Sequence, residues 1–263
     1  MSRRREGESG VMRVKRRIFS GPVCEQIVYT AQDGLKNLEE SRPARPRFQT
    51  EEDRERHRDS VARRRHARIV NANFGEASPL ARYGTLTFDD EHEVHTFPEA
   101  RRVRDRFYRA IRRKYPKARI MIYMGRGEHT ARIHFHILID GVPEEFIREK
   151  WIYGRVLRLD PLREHNYYNG VDCGRDYTGL ANYLFNHWTP EQGGNRWKGS
   201  RSTLRKAECE KPTEARRVYT MEKPPRAPKG YKLVESMETP YGFLYYKYVR
   251  IPEKRTRRKI EQK

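Results

Sequence analysis

The sequence predicts an α+β fold in which a sheet is covered by helices on one side. Two observations indicate this class. Short runs that alternate between polar and apolar residues, as strands with one buried face do, are interleaved with helical segments. The chain of 263 residues also has the length of one domain with extensions, and it contains no internal repeat.

The composition indicates a protein that binds a polyanion. Lysine and arginine total 57 against 36 acidic residues, which gives a net charge of +21. A surface that basic attracts a phosphate backbone or an anionic membrane. Of the two we expect nucleic acid and no membrane, because no stretch approaches the ~18 consecutive apolar residues of a membrane-spanning helix.

The cysteines indicate a reducing compartment. Cys24, Cys173 and Cys209 lie far apart and form no CxxC pair, which argues against a disulfide framework or a structural zinc site. The basic N-terminus leads into no apolar segment of a secretory signal. We therefore expect a cytoplasmic location.

The N-terminal part is predicted to hold a tail, a strand and a basic helix. Residues 1–17 are polar and basic, and we expect a disordered tail there. Residues 18–30 form a strand-like run. A basic helical insertion at about 42–75 follows, with Thr50 as the N-cap and two glutamates in the first turn. The basic face of this helix is either a solvated surface or a nucleic-acid contact, and both interpretations stay open.

The compact domain is predicted to span residues 18–190. Its strands alternate between polar and apolar residues, and proline marks the boundaries of its helices. The predicted strands are residues 83–88, 119–124, 132–139 and 155–159, and the predicted helices are residues 97–114, 143–151 and 176–188.

The C-terminal part is predicted to extend this domain. Residues 191–228 are polar, basic and rich in proline, so we expect a linker or loop. Residues 229–263 hold two strand-like runs around the segment Thr239-Pro240-Tyr241-Gly242. This pattern predicts a hairpin followed by a basic tail.

Two histidines share one face of the strand at 132–139, which reads RIHFHILI. Because side chains alternate along a strand, Phe135 and the isoleucines form an apolar face. His134 and His136 point together to the other face, roughly 7 Å apart at Cα. Two imidazoles placed this way can bind one cation. Neither an HExxH motif nor a nearby cysteine pair is present, so a zinc protease and a deaminase-type zinc site are not expected.

One tyrosine of the helix at 176–188 lies on its polar face. At 100° per residue, Asn186 and His187 fall within about 60° of Tyr183. Tyr177 instead falls on the apolar stripe and is predicted to pack in the core. Tyr183 is therefore the candidate nucleophile of this helix, and the alternative is a residue at an amphipathic boundary.

These residues together resemble the motifs of the HUH endonucleases. The pattern His134-Phe135-His136, preceded by Arg132, is similar to the metal-binding motif of that group. The segment YGTLTF at 83–88 resembles its upstream strand motif, and Tyr183 resembles the nucleophile of its third motif. The three occur in the family's order within residues 83–188. The nearest likeness is to the replication initiators of filamentous phages, plasmids and integrative elements.

The resemblance implies a fold and a reaction. The fold is a central antiparallel sheet with helices packed on it, here with a basic N-terminal helical extension and a C-terminal hairpin extension. The reaction is rolling-circle nicking, in which Tyr183 attacks single-stranded origin DNA, forms a 5′-phosphotyrosyl intermediate, frees a 3′-OH and later allows rejoining. A divalent cation, Mn²⁺ or Mg²⁺, would assist as a Lewis acid on His134, His136 and a third group. No Walker motif is present, so a helicase is expected to be a separate protein.

The chain departs from the family's pattern at two points. Asn186 and His187 stand where the family often has a lysine, and they are assigned as catalytic support through hydrogen bonding and proton transfer. The position of the family's third ligand falls near Gly125, which has no side chain. Glu128 in the next turn is predicted to replace that ligand, with His129 as an alternative, although Glu128 can equally be an exposed turn residue.

A basic segment after the tyrosine helix is a candidate path for single-stranded DNA. Cations surround an aromatic ring there, and Arg132 adds a further predicted DNA contact. The residues of the segment are Arg196, Trp197, Lys198, Arg201, Arg205 and Lys206. The same stretch is equally compatible with a disordered basic linker.

Three other functions stay open. A non-catalytic nucleic-acid-binding protein accounts for the charge, but it gives His134, His136 and Tyr183 no role. An HUH transposase or relaxase is the second, although relaxases carry a third clustered histidine and an N-terminal tyrosine, and neither is evident here. A histidine-based phosphoesterase is the third, and it would need further histidines where the strand has Leu138.

Overall fold

The computed structural model of the chain describes residues 12–31, 48–127, 131–239 and 242–251. Four α-helices and thirteen strands are assigned within these ranges. In chain order they are β1 (Met12–Ser20), β2 (Val23–Ala31), α1 (Glu51–Phe74), β3 (Arg82–Thr87), α2 (Phe97–Lys114), β4 (Arg119–Arg126), β5 (Ile133–Asp140), α3 (Glu144–Lys150), β6 (Val156–Pro161), β7 (Tyr167–Tyr168), β8 (Val171–Asp172), α4 (Thr178–Asn186), β9 (Lys198–Gly199), β10 (Glu208–Cys209), β11 (Thr213–Glu214), β12 (Tyr231–Glu238) and β13 (Leu244–Arg250).

A five-stranded antiparallel sheet forms the centre of the molecule, in the order β6-β3-β5-β4-β9. The α+β class and the central antiparallel sheet are confirmed. Helix α2 has the predicted bounds and begins with a capping box, in which the Thr96 side chain accepts from the Glu99 backbone and the Glu99 carboxylate from the Thr96 backbone. Thr50 caps α1 as predicted, because its side chain accepts from the Asp53 backbone N–H.

Helices cover both faces of this sheet, so the expectation of a single covered face is wrong. On one face, α2 and α3 pack against Ile133, Phe135 and Ile137 of β5. On the other face, α1 and α4 pack around Leu138 and the buried Tyr123. One face of β5 is therefore apolar, and the other holds Leu138 together with the two histidines and the buried Asp140. None of the described helices is both long and apolar enough to cross a membrane.

A second antiparallel sheet contains both ends of the described chain, in the order β10-β1-β2-β13-β12. The predicted disordered tail is wrong for residues 12–17, which belong to β1, while residues 1–11 lie outside the described part. The single run expected at 18–30 is two strands, joined by a turn at Gly21 with φ +58°. Residues 18–31 therefore belong to this second sheet and not to the central one.

The predicted C-terminal hairpin is present as β12 and β13. It is no separate extension, because β13 pairs along its length with β2. Pro240 and Tyr241 of the predicted turn, and the basic tail at 252–263, lie outside the described residues.

The segment at 191–228 is not a free linker, because it touches both sheets. Its β9 pairs with β4, and its β10 and β11 pair with β1. The Ser200 side chain is fully buried and accepts from the Ile120 backbone N–H at 3.0 Å. Gln192, in a short 3₁₀ turn, donates to the Met124 carbonyl at 3.2 Å. Composition predicted a polar loop correctly, but the loop is fixed by hydrogen bonds to buried backbone groups.

Buried polar contacts join the second sheet and α1 to the start of α4. Lys247 of β13 lies 2.6 Å from the carboxylate of Asp176 and donates to the Thr178 hydroxyl at 3.0 Å. Asn71 of α1 accepts from the Tyr177 backbone N–H at 2.7 Å. These contacts fix the N-terminal end of α4, the helix that holds the candidate nucleophile.

Candidate functional site

His134 and His136 lie side by side on the face of β5 that α4 covers. Their Nε2 atoms are 3.1 Å apart. Nitrogens bound to one ion at about 2.1 Å are roughly 3 Å apart, so this pair already has the spacing of two ligands. The alternation of β5 predicted this arrangement.

His187, at the C-cap of α4, completes a cluster of three histidines. One nitrogen from each of His134, His136 and His187 lies within 4.8 Å of the other two. The ring centroids of His136 and His187 are 4.4 Å apart. Three imidazoles in this arrangement could hold a metal ion. His187 was predicted to take part in proton transfer and not to be a ligand, so the expectation that the chain has no third clustered histidine is wrong.

Gly125 explains why the third imidazole comes from a helix. In the β4–β5 register Gly125 stands opposite His134. A Cβ at position 125 would lie 2.9 Å from the Nε2 atom of His134 and 3.1 Å from the Nδ1 atom of His187. The space that a side chain of β4 would fill is thus occupied by the two imidazoles. Glu128 and His129, the predicted third ligands, lie outside the described residues.

The site keeps His136 neutral. Burial, with His187 and His134 as further causes, lowers the pKa of His136 to about 3, and burial also lowers the pKa of His134. A neutral imidazole has a lone pair available for a cation. The Nδ1 atom of His136 lies 3.0 Å from the Tyr83 hydroxyl and 3.1 Å from the Thr85 hydroxyl. When Nδ1–H donates to these oxygens, Nε2 is left as the acceptor that faces His134.

Tyr183 lies next to this cluster. Its ring centroid is 4.5 Å from that of His187 and 5.6 Å from that of His136. The side chain is 49% exposed, which leaves the phenol open to an incoming substrate. Tyr177 is buried, and its hydroxyl donates to the Arg163 carbonyl at 2.8 Å. The prediction that Tyr177 packs in the core is confirmed.

Tyr83 lies between Tyr183, the candidate nucleophile, and His136, and it was not predicted as an individual site residue. Its hydroxyl lies 3.0 Å from the Nδ1 atom of His136, and Tyr183 is close enough to affect its pKa. Burial, followed by the influence of Tyr183, raises the pKa of Tyr83 to about 12. Tyr83 therefore stays protonated at neutral pH. The alternation of β3 gave a usable signal, because Tyr83, Thr85 and Thr87 share the face that looks toward the histidines.

Asn186, predicted as catalytic support, and Arg132, predicted as a DNA contact, both have partners outside the histidine cluster. The Asn186 side-chain oxygen accepts from Arg63 of α1 at 2.6 Å, which binds the end of α4 to α1. Arg132 pairs with Asp90 at 2.6 Å and with Glu93 at 3.3 Å. Both carboxylates offset part of the Arg132 charge.

The predicted DNA-binding residues after α4 do not share one environment. Arg196 stacks on Phe185, with its guanidinium carbon 3.9 Å from the ring centroid, and pairs with Asp59 at 2.9 Å. Trp197 packs against the core beneath α1 and α4, so its ring is partly buried. Lys198 lies in β9, 3.9 Å from Asp105. The remaining three, Arg201, Arg205 and Lys206, are exposed.

We expect His187→Ala to weaken the binding of Mn²⁺ by at least about tenfold, because loss of even an outer partner of a metal ligand has that effect. Isothermal titration calorimetry of the full chain would measure the change. His165→Ala is the matched control, because His165 is exposed and pairs with Asp172 at 2.9 Å, away from the cluster. Equal affinities of the two variants would show that His187 is not a ligand.

Comparisons with protein-family models, with curated proteins and with solved structures gave no match to this chain.

Proposed function

We propose that this protein is an HUH-type DNA nicking and joining enzyme that initiates rolling-circle replication of a mobile genetic element. The observation that carries the proposal is the position of the half-exposed Tyr183 beside His134, His136 and His187. A non-catalytic binding protein has no need of a phenol next to three clustered imidazoles. The net charge of +21 is compatible with a nucleic-acid substrate.

The donor set indicates which cation the site would take. His134, His136 and His187 offer nitrogen, and Mg²⁺ prefers oxygen ligands, so Mn²⁺ fits better than Mg²⁺. When bound, the ion would act as a Lewis acid on the scissile phosphate. The Nδ1 contacts of His136 with Tyr83 and Thr85 would hold that imidazole in orientation.

Tyr183 would supply the nucleophile. Its oxygen forms a bond to phosphorus while the bond from phosphorus to the 3′-oxygen breaks, which leaves a 5′-phosphotyrosyl ester. The phenol proton passes to solvent, to which the side chain is open, and the released 3′-oxygen takes a proton from water. A phenol has a pKa of about 10, so a hydrogen bond from the neighbouring Tyr83 hydroxyl would help to stabilise the developing phenolate. Attack by the ribose 3′-OH on the ester reverses these steps and rejoins the strand.

The proposal is tested with single-stranded oligonucleotides of random sequence and Mn²⁺, followed by denaturing gels. We expect a 3′-labelled strand to migrate with the protein, because the phosphotyrosyl ester is at the 5′ end of the 3′ fragment. A 5′-labelled strand should give only a shorter free product. The adduct should disappear when the cation is removed with EDTA. The absence of any adduct with Mn²⁺, Mg²⁺, Co²⁺ and Zn²⁺ would overturn the proposal.

A further inference from the structure

A cleft of about 600 Å³ lies between α1 and the segment that follows α4. Its α1 wall includes residues at positions 58, 61, 62, 65 and 69, which share one face of the helix. The opposite wall includes Asn195, Arg196, Trp197 and Arg201. The cleft is separate from the three histidines, none of which lines it.

The charge of the cleft is positive. Four arginines line it, namely Arg58, Arg65, Arg196 and Arg201, and no carboxylate does so among the described residues. Arg58 pairs with Glu51 at 2.9 Å, and Arg196 pairs with Asp59. Arg65 and Arg201 are exposed and form no ion pair within the described ranges. These two guanidinium groups are therefore available to an anion.

The floor of the cleft is apolar and aromatic. Ile69 and Trp197 contribute to the lining, and Val61 is 41% exposed at its edge. Phe185 is buried beneath the Arg196 guanidinium, so Trp197, which is only partly buried, is the ring that offers a base a stacking surface. Cations around a stacking ring are an arrangement that binds single strands, because the phosphates contact the cations and an unpaired base stacks on the ring. The bases of a duplex are stacked inside it, so a duplex would contact only the arginines of the cleft.

The cleft and Tyr183 lie at the same turn of α4 but on opposite sides of the helix, because residues 183 and 185 are about 200° apart around its axis. Phe185 lines the cleft, and Tyr183 lies two residues earlier in the same helix. Arg63 of α1 holds this turn by its bond to Asn186 and lies 4.9 Å from the Phe185 ring centroid. A strand bound at Tyr183 would reach the cleft by passing around the C-terminal end of α4.

From the charge and the lining of this cleft we propose that α1 is one wall of a binding cleft for single-stranded DNA, which takes the part of the strand that passes around the end of α4 from Tyr183. The inference rests on the proposed function and adds a site to it. It assigns a role to the basic helix, whose exposed face had two open interpretations.

The test measures binding of fluorescein-labelled oligo-dT to the full chain by fluorescence anisotropy, in EDTA so that no cleavage occurs. The cleft variant is Arg65→Ala with Arg201→Ala. The control is Arg109→Ala with Arg113→Ala, two exposed arginines of α2 on the opposite side of the central sheet. Both variants lose the same charge, so only the position of the lost charge differs.

We expect the cleft variant to raise the Kd for oligo-dT on the order of tenfold and to lower the slope of log affinity against log salt by about 1.4, roughly 0.7 for each phosphate contact. The control should change both quantities much less. Binding of oligo-dT should also quench tryptophan fluorescence, and Trp197→Phe should remove most of that quenching. An equal loss in both double variants, a cleft variant that binds like wild type, or an equal effect on duplex DNA would each overturn the proposal.

The two proposals fail in different ways. If the cleft variant binds oligo-dT weakly but wild type forms no covalent adduct, the nicking proposal is overturned and the proposed DNA-binding cleft is supported. If the adduct forms and the cleft variant binds oligo-dT like wild type, the proposed DNA-binding cleft is overturned and the nicking proposal is supported.

Discussion

Replacement of Tyr183 by phenylalanine is expected to abolish the covalent protein–DNA adduct completely. The substitution removes the attacking oxygen and keeps the ring, so the contacts with His136 and His187 are retained. Affinity for Mn²⁺ should therefore change little, which separates loss of the nucleophile from loss of the site. Denaturing gels with a 3′-labelled strand measure the adduct, and calorimetry measures the affinity for the cation.

Tyr177→Phe is the matched control for this experiment. Tyr177 belongs to the same region of the chain, but its hydroxyl is buried and donates to the Arg163 carbonyl. We expect this variant to keep the adduct, with some loss of stability from the unpaired carbonyl. An adduct that survives Tyr183→Phe and disappears in Tyr177→Phe would assign the nucleophile to Tyr177.

Lys247→Met is expected to lower the free energy of unfolding by about 3–5 kcal/mol, the cost of leaving one partner of a buried ion pair without its counter-charge. The side chains of Lys247 and Asp176 are 7% and 5% exposed, so solvent cannot replace the lost ammonium group. Urea denaturation followed by circular dichroism would measure the change.

Two further variants test whether the loss of stability comes from the buried ion pair. Lys229→Met removes an equally charged but exposed side chain, and we expect a change within about 0.5 kcal/mol. Addition of Asp176→Asn to Lys247→Met should restore part of the loss, because the uncompensated carboxylate is then gone. If Lys247→Met and Lys229→Met have equal stability, the pair does not stabilise the fold.

Local pattern predicted the elements on which the site depends. The alternation of polar and apolar residues in β5 placed His134 and His136 on one face, and the 100° spacing of α4 separated Tyr183 from Tyr177. Both arguments succeed because side-chain direction within one element follows from backbone geometry alone. They use no information about how the elements pack.

The third histidine could not be assigned in the same way. Whether His187 reaches the pair on β5 depends on how α4 crosses the sheet, which no short stretch of sequence determines. Two signals were present: Gly125 leaves space opposite His134, and His187 follows Tyr183 by one helical turn. Together they indicate a ligand that comes from the helix instead of the neighbouring strand.

The second sheet was not predicted, because the sequences of its strands have patterns that are typical of other structures. Strand β1 reads MRVKRRIFS, and its basic side chains suggested a disordered tail, although Val14 and Ile18 are buried. Its partner β2 pairs with β13, a strand more than 200 residues later in the chain. Sequence patterns identify individual strands, but they do not reveal pairing between such distant segments.

The placement of His187 and Tyr183 on one short helix has a mechanical consequence. A rigid movement of α4 carries both side chains together, so an ion held by His187 would also restrain the phenol. Binding of the ion and correct orientation of the Tyr183 phenol would then occur together. Changes that loosen the distant anchor at Asp176 should therefore reduce affinity for the ion, even though Asp176 lies at the other end of the helix.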